Sequence, residues 1–292
     1  MKEDELKNYK KAAEIAAVVL KEVQIKPGMK VLELVEGIEN NIASKGGKPA
    51  FPANISCNEY AAHDTASVGE TRVIGEKDIV KVDIGVHVEG FIADRAITFD
   101  LSSENEKLLE ASERALENAV SVVKAGVNVE KIGAEIEKTI SSYGFRPIEN
   151  LTGHSLGQYL LHAGAEIPNF AARGIGDVLE EDDVIAIEPF ATKGIGIVVE
   201  APRTEIFSAI IELPTRNTLA RQMFKKIMEE YHELPFAERW VADTFEKRIA
   251  LRELIKNGSI HPYPVLKEKS NGVVAQFEHT LIVGKDSAEV LI

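Results

Sequence analysis

The 292-residue sequence is 45% hydrophobic and 28% charged, ordinary values for a soluble protein with one large domain or one domain carrying an insertion. Its formal net charge of −13 disfavours nonspecific nucleic-acid binding, and its apolar runs are far shorter than a membrane span. The lone Cys57 excludes an intrachain disulfide, and the charged, helix-patterned start is unlike a signal peptide, so a cytoplasmic protein is expected.

Apolar periodicity and turn residues predict alternating groups of helices and strands. In chain order the sequence predicts helices at 4–22 and Val31–Lys45, strands up to Leu101, and helices at 103–124 and Val129–Tyr143. Strands follow at Val184–Phe190, Ile195–Ala201 and Ile206–Leu213. Helices in two or three pieces are predicted at 215–258, and strands from Gly272 onward. No low-complexity linker divides the chain, so composition gives no boundary between two domains.

An internal repeat links the two parts of the chain. Residues 26–49 align without gaps to residues 124–147, and nine of the 24 positions match, among them turn glycines and a proline. Further on, DIVKVD at 78–83 resembles DVIAIE at 183–188. Any two amphipathic helices look partly alike, but the matching glycines and proline favour a duplication. The sequence therefore predicts two similar α+β halves that face each other across a cleft.

Two aspartates lie inside strands that otherwise look built for burial. The stretch 81–100 predicts a hairpin with its turn near residues 88–90, and this places Asp83 directly opposite Asp94 on one face. Like charges opposite each other destabilise a sheet. Such a pair persists when the carboxylates share a proton or a cation.

Two glutamates occupy similar places. Glu188 ends the apolar run DVIAIE, in roughly the place that the repeat gives to Asp83, and Glu278 lies within VVAQFEHTLIV. Either glutamate alone could be a solvated residue on the outer face of a sheet. Four such acids in one chain favour convergence on one cleft, where two carboxylate-bridged divalent cations would offset their charge.

Three of the seven histidines are candidates for the same cleft. His63 and His162 stand at nearly equivalent places in the two halves, and His154 follows a turn-like LTG. A lone histidine is more often structural than a ligand, but a symmetry-related pair flanking a cleft favours function. His87 is expected to be exposed at the hairpin tip, and His279 must point away from Glu278 because neighbours in a strand alternate.

Seven segments carry a resemblance to a known family. They are KPAFP (48–52), NEYAAH (58–63), KVDIGVHVEGFIAD (81–94), NLTGHSLGQYLLHAG (150–164), AIEPFAT (186–192), YPVL (263–266) and AQFEHT (275–280). On these motifs the sequence resembles the methionine aminopeptidases over essentially its whole length, and within them the type 2 enzymes of archaea and eukaryotes.

The resemblance implies the α+β pita-bread fold, in which two duplicated halves are related by a pseudo-two-fold axis. It implies that two divalent cations, of cobalt, manganese, iron or zinc, are held by Asp83, Asp94, His154, Glu188 and Glu278. It also implies that residues 215–270 are the inserted helical subdomain of type 2 enzymes. The end of that subdomain would supply Tyr263, which with Phe51 lines the pocket for the methionine side chain.

The expected reaction is hydrolytic removal of the N-terminal methionine from nascent proteins and peptides. A water between two divalent cations has its pKa brought towards neutrality, so hydroxide is available to attack the methionine carbonyl. Glu188 is the candidate general acid/base, and His63 and His162 are placed to bind the substrate carbonyl or amide and the developing oxyanion. The family implies a small second residue. A monomer with a possible ribosome contact and no membrane or nucleic-acid partner is expected.

Two other readings stay open. A proline dipeptidase would share the fold, but such enzymes carry an extra N-terminal domain, and here Asp83 comes too early for one. A metal-free pita-bread relative that binds RNA or protein would have lost ligands, and all five are present here. Two positions depart from the family pattern: Asp64 replaces an aromatic residue beside His63, and Ile206 lies near a polar pocket position of the eukaryotic enzymes.

Overall fold

The computed structural model describes residues 1–174 and 176–291. The first half consists of α1 (Glu3–Glu22), α2 (Val31–Ser44), β1 (Lys48–Pro49), β2 (Asn54–Cys57), β3 (Tyr60–Ala62), β4 (Ile79–Val88) and β5 (Phe91–Asp100). The apolar stripe of α1 packs against β4 and β5, and the core of this half forms between them. The helix begins with a capping pair, in which Glu5 accepts from the backbone N–H of Lys2 at 3.0 Å.

The second half repeats this order. It consists of α3 (Glu106–Val122), α4 (Val129–Ser142), β6 (Arg146–Pro147), β7 (Thr152–Ser155), β8 (Glu166–Pro168), β9 (Val184–Ile187), β10 (Phe190–Thr192), β11 (Val198–Ala209), β13 (Ile260–Glu268), β14 (Val274–Gln276), β15 (His279–Val283) and β16 (Ala288–Val290). Between β11 and β13 lie α5 (Thr218–Tyr231), β12 (Phe236–Ala237), α6 (Glu238–Val241) and α7 (Phe245–Lys256).

The predicted duplication is confirmed in the backbone. In the turn before α2, the N–H of Gly28 donates to the carbonyl of Ile74 at 2.7 Å. In the turn before α4, the N–H of Gly126 donates to the carbonyl of Leu179 at 2.8 Å. The two glycines have φ values of 83° and 82°, a left-handed conformation that favours glycine. The matched glycines were therefore a signal of matched turns.

The hairpin of β4 and β5 has a different register from the predicted one. Asp83 pairs with Ala96, and Asp94 pairs with Gly85, so the two aspartates are diagonal neighbours and do not face each other directly. The turn is a two-residue loop of Glu89 and Gly90, one position later than the predicted register requires, and both residues have positive φ. A shift of two positions in pairing keeps every side chain on its face, so both carboxylates still share one face.

The corresponding strands of the second half are interrupted where the glutamates lie. Strands β9 and β10 are separated by Glu188 and Pro189, since proline has no N–H to donate to a partner strand. Register is continuous across the break, with Ile187 opposite His279 and Phe190 opposite Gln276. This continuity puts Glu188 opposite Glu278, so the direct carboxylate pair that was predicted in the first half lies in the second.

Two threonines join the halves at the midline. The hydroxyl of Thr280 accepts from the N–H of Asp94 at 2.7 Å and donates to its carbonyl at 2.9 Å. The hydroxyl of Thr98 accepts from the N–H of Gln276 at 2.9 Å and donates to its carbonyl at 2.6 Å. The N–H of Glu278 also donates to the carbonyl of Ala96. These bonds fix β5 of one half against β14 and β15 of the other.

The segment between β11 and β13 has an apolar core of its own. That core contains Met223, Phe224, Ile227, Phe236, Leu251 and Leu254. Three helices form, as the sequence predicted, but they end at Lys256, and β13 occupies most of the rest of the range 215–270. The two strands predicted at 195–201 and 206–213 are one strand, β11.

Among the described residues, none of the helices combines the length and the apolar character that a membrane crossing needs.

The close contact at Gly153 gives a test of this packing. A Cβ on Gly153 would lie 2.3 Å from the backbone oxygen of Ala186 on β9. We expect Gly153→Ala to lower the free energy of unfolding by about 1–3 kcal/mol or more. Gly37 lies in α2 with open space around it, so Gly37→Ala should raise the free energy of unfolding by about 0.5–1 kcal/mol. Denaturant unfolding of both variants measures this, and equal stabilities would contradict the described contact.

Candidate metal centre and substrate cavity

One cavity of about 210 Å³ brings together all nine residues that the sequence predicted for the site. These are Phe51, His63, Asp83, Asp94, His154, His162, Glu188, Tyr263 and Glu278. Both halves contribute, and Tyr263 comes from β13, which follows the inserted helices. The cavity therefore exists only in the assembled fold.

The charged side of the cavity consists of four carboxylates and an imidazole. Asp94 and Glu278 are buried, at 4% and 1% exposure, and Asp83 and Glu188 are largely buried. Nε2 of His154 lies 3.6 Å from Oδ2 of Asp94 and 3.9 Å from Oε1 of Glu188. Asp94, His154 and Glu278 each offer a ligand atom within 4.8 Å of the others.

This arrangement fits a divalent cation better than it fits a hydrogen-bonded core. The spacings from His154 are too long for hydrogen bonds, yet two ligands that each lie about 2.1 Å from one ion are separated by such distances. Oδ1 of Asp83 and Oδ1 of Asp94 are buried and have no hydrogen-bond partner in the described protein. Buried carboxylate oxygens without donors are costly unless a cation or proton neutralises them.

The protein itself does not supply that neutralising charge. Burial raises the pKa of Asp83 to about 7, and a contact with Gln276 opposes the rise. Burial and the nearby carboxylates raise the pKa values of Asp94, Glu188 and Glu278 well above their ordinary range. Without a cation these shifts favour the protonated acids, and a bound cation would displace the protons.

His154 and His162 lie side by side. Their rings meet edge to face with centroids 4.5 Å apart. Burial lowers the pKa of His154 to about 3, with a smaller contribution from His162, so its imidazole is neutral and can act as a ligand. His162 is exposed at the edge of the cavity, and its surroundings also lower its pKa.

His63 is held in a defined orientation. It has a φ of 60°, unusual for a residue other than glycine, and its Nδ1 lies 3.2 Å from the carbonyl of Pro264. Because a carbonyl only accepts, Nδ1 carries the proton, and Nε2 keeps its lone pair. Burial lowers the pKa of His63 to about 4, so the ring is neutral at pH 7.

The apolar side of the cavity is built around Phe51 and Tyr263. A Cβ on Gly85 would lie 2.3 Å from the ring of Phe51, so the glycine of β4 leaves the space that this ring occupies. The hydroxyl of Tyr263 lies 3.2 Å from that of Ser208, and its ring packs edge to face against His63. Ile206, the position that departs from the eukaryotic pattern, lines the same cavity.

Asp64, the other departure, turns away from the cavity. Its carboxylate is fully buried and accepts two hydrogen bonds from Arg72, at 2.9 and 3.0 Å, and one from Arg203. The residue therefore belongs to an ion-pair cluster behind His63 and does not narrow the entrance.

Two features differ from what sequence reasoning gave. His87 was expected to be exposed, and this was wrong: it is buried, its Nδ1 accepts from Gly90 N–H, and Tyr159 of the other half packs on it. Gln276 was missed, although its amide donates to Oε2 of Glu188 at 3.2 Å. The only available signal was its position in AQFEHT, two residues before Glu278. Side chains two positions apart in a strand share a face, so Gln276 could have been expected on the face that carries Glu278.

Comparisons with known proteins agree with this site. A methionine aminopeptidase of Methanothermobacter thermautotrophicus is 47% identical over 98% of both chains. Among solved structures, a thermophilic Arx1 matches with a TM-score of 0.87 at 18% identity, covering 100% of this chain and 91% of that one. A methionine aminopeptidase from Thermotoga maritima matches with a TM-score of 0.72 at 24% identity, covering 100% of this chain and 97% of that one. The two structural matches establish the fold alone.

The fold is the pita-bread fold, with two duplicated α+β halves and a cleft between them. The carboxylates and the imidazole in that cleft are those of a metal-dependent hydrolase. More particularly, the chain belongs to metallopeptidase family M24, whose sequence profile matches residues 7–285.

The raised carboxylate pKa values predict how the metal-free protein responds to pH. Asp83 has a pKa of about 7 in the fold against an ordinary 3.8, so the folded chain holds more protons than the unfolded chain between these values. The contribution of Asp83 to the free energy of unfolding should therefore fall as the pH rises through this window. The imidazoles of His63 and His154, whose pKa values burial lowers to about 4 and about 3, act in the opposite direction below the ordinary pKa of histidine. We therefore compare the chelator-treated protein with its Asp83→Asn variant. Between about pH 5 and about pH 8, the unfolding temperature of the unchanged protein should fall relative to that of the variant.

The Asp83→Asn variant is the control for this prediction, because its amide does not titrate. The variant keeps the histidine contributions and loses that of Asp83, so the difference between the two metal-free unfolding temperatures reports Asp83 alone. If that difference were the same at both pH values, Asp83 would not be buried as described.

Proposed function

We propose that this protein is a methionine aminopeptidase of type 2, which removes the N-terminal methionine from peptides and nascent chains. The observation that carries the proposal is the single cavity in which four carboxylates and His154 lie beside an apolar pocket formed by Phe51, Ile206 and Tyr263. The 47% identity to a methionine aminopeptidase over nearly the full length of both chains supports it.

The five acidic and imidazole side chains would hold two divalent cations. The residues that would hold them are Asp83, Asp94, His154, Glu188 and Glu278, which all line the same cavity. An oxygen-rich set with one imidazole accepts manganese, iron, cobalt or zinc, so the donors do not select one metal. When bound, such cations polarise a carbonyl and lower the pKa of water, which supplies a nucleophile at neutral pH.

Glu188 is proposed as the residue that moves protons. In the metal-free chain burial and the neighbouring carboxylates raise its pKa, and a carboxyl group that faces the cavity is the type of group that can accept a proton and return it. It would accept the proton of the attacking water and deliver it to the departing amine. Its side chain is 14% exposed, which leaves it accessible from the cavity.

His63 and His162 are proposed to bind the scissile amide from two sides. Because Nδ1 of His63 faces the carbonyl of Pro264, its Nε2 can only accept, and a substrate N–H is the matching group. His162 would then donate to the substrate carbonyl and to the oxyanion that develops from it. This division of roles follows from the orientation of His63.

The apolar residues of the cavity would hold the methionine side chain. Phe51 and Tyr263 provide aromatic faces that suit a thioether. A preference for a small second residue is part of the proposal, as in the family that the sequence resembles.

The remaining parts of the proposal concern the setting of the enzyme. Residues 215–270 would be the inserted subdomain of type 2 enzymes, supported by the separate core of α5 to α7. We propose a cytoplasmic monomer that meets nascent chains, with a possible ribosome contact.

The direct test is hydrolysis of the peptide Met-Gly-Met-Met, followed by mass spectrometry of the products. Release of only the first methionine is expected, lost after chelation and restored by Mn²⁺ or Co²⁺, because the carboxylates need cations to act. Release of internal methionines would contradict the exopeptidase assignment. No cleavage and no bound metal would instead favour a pita-bread protein used for binding.

A pair of variants separates metal binding from amide binding. Asp94→Ala should lower kcat by more than about 100-fold and reduce bound metal, because it removes a carboxylate that would hold the cations. His162→Ala should lower kcat by about 100-fold with bound metal unchanged, because it removes only a hydrogen-bond donor. Metal content by atomic absorption and steady-state kinetics measure both. Near-normal turnover of Asp94→Ala, or metal loss in His162→Ala, would overturn the assigned roles.

A further inference from the structure

Gln276 occupies the place in the second half that Asp94 occupies in the first. The hydroxyl of Thr280 holds the backbone N–H and carbonyl of Asp94, and the hydroxyl of Thr98 holds those of Gln276 in the same way. Thr98 follows Asp94 by four positions, and Thr280 follows Gln276 by four. The pseudo-two-fold axis therefore relates a carboxylate to an amide.

The side chain of Gln276 lies between carboxylates of both halves. It is 1% exposed, and its Nε2 donates to Oε2 of Glu188 at 3.2 Å. The same side chain also contacts Asp83 of the first half. Asp83 and Glu188 are themselves equivalent positions of the repeat, so one amide serves a symmetry-related pair.

An amide at this place has an effect that a carboxylate would not have. An aspartate or glutamate would add a fifth negative charge to a largely buried set and would have no hydrogen to donate. The amide adds no charge, and its two N–H groups can each engage a carboxylate oxygen. Each carboxylate then keeps its other oxygen for a cation, and its rotation is restricted.

We propose that Gln276 is a positioning residue that orients Asp83 and Glu188 together and thereby sets the affinity of the cavity for divalent cations. The proposal rests on the proposed function, since it takes those two residues as ligands. Gln276 itself neither binds the cation nor contacts the substrate. Loss of its amide should therefore weaken cation binding and also lower kcat through Glu188.

The test is calorimetric titration of the metal-free, full-length protein with Mn²⁺. Gln276→Met keeps the length of the side chain and removes the amide, and Gln276→Asn keeps an amide that is one methylene too short to reach. Both should weaken Mn²⁺ binding by about 10- to 100-fold, the usual effect of losing a residue that orients a ligand. At saturating Mn²⁺, kcat should fall while KM for the peptide changes little, because the methionine pocket is intact.

Thr139→Val is the matched control. Thr139 is buried in α4, donates to the carbonyl of Glu135 and accepts from Asn118, far along the chain from the carboxylates. This variant loses buried hydrogen bonds and some stability but should bind Mn²⁺ as the unchanged protein does.

The outcomes separate the inference from the proposed function. Weaker Mn²⁺ binding in the Gln276 variants, but not in Thr139→Val, supports the role of Gln276. Affinities of both Gln276 variants within about twofold of the unchanged protein would overturn it and leave the proposed function standing. If the unchanged protein bound no Mn²⁺ and cleaved no peptide, the proposed function would fail, and the inference with it.

Discussion

Mutual repulsion among largely buried carboxylates is the constraint on which this structure depends. Asp94 and Glu278 are almost fully removed from water, and Asp83 and Glu188 lie beside them. Desolvation and like charge both favour the protonated acids, so the ionised set is stable only with cations. The rest of the fold can be read as the scaffold that holds these acids in place despite that cost.

The duplication provides such a scaffold. Each half brings a hairpin-like pair of strands to the midline, and reciprocal threonine bonds fix one pair against the other. Symmetry alone would give equal ligands from each half, but the two halves have diverged. Asp94 is matched by Gln276, while Ala96 corresponds to the acidic Glu278. The site is therefore an asymmetric centre within a nearly symmetric frame.

Much of this could be predicted from the sequence, and the failures have physical causes. Alternation along the strands predicted that Asp83 and Asp94 share a face, because a shift of two positions in the pairing leaves every side chain on the same face. Their exact pairing was wrong, since register depends on which two residues form the turn, and Gly90 was the decisive position. His87 was misjudged because the residue that covers it, Tyr159, lies far away in sequence. Gln276 was missed because its only signal was its position near Glu278, and an uncharged side chain inside a strand is not unusual.

The threonine links at the midline also bear on how the enzyme is made. Thr280 follows its hydrogen-bond partner Asp94 by 186 positions, and Glu278 completes a site whose first members are Asp83 and Asp94. While the chain emerges from the ribosome, its first half carries two of the acids with nothing to oppose them at the midline. The full set of ligands comes together only when Glu278 and the strand β15 that follows it dock, so no complete cation site exists before that segment has been synthesised.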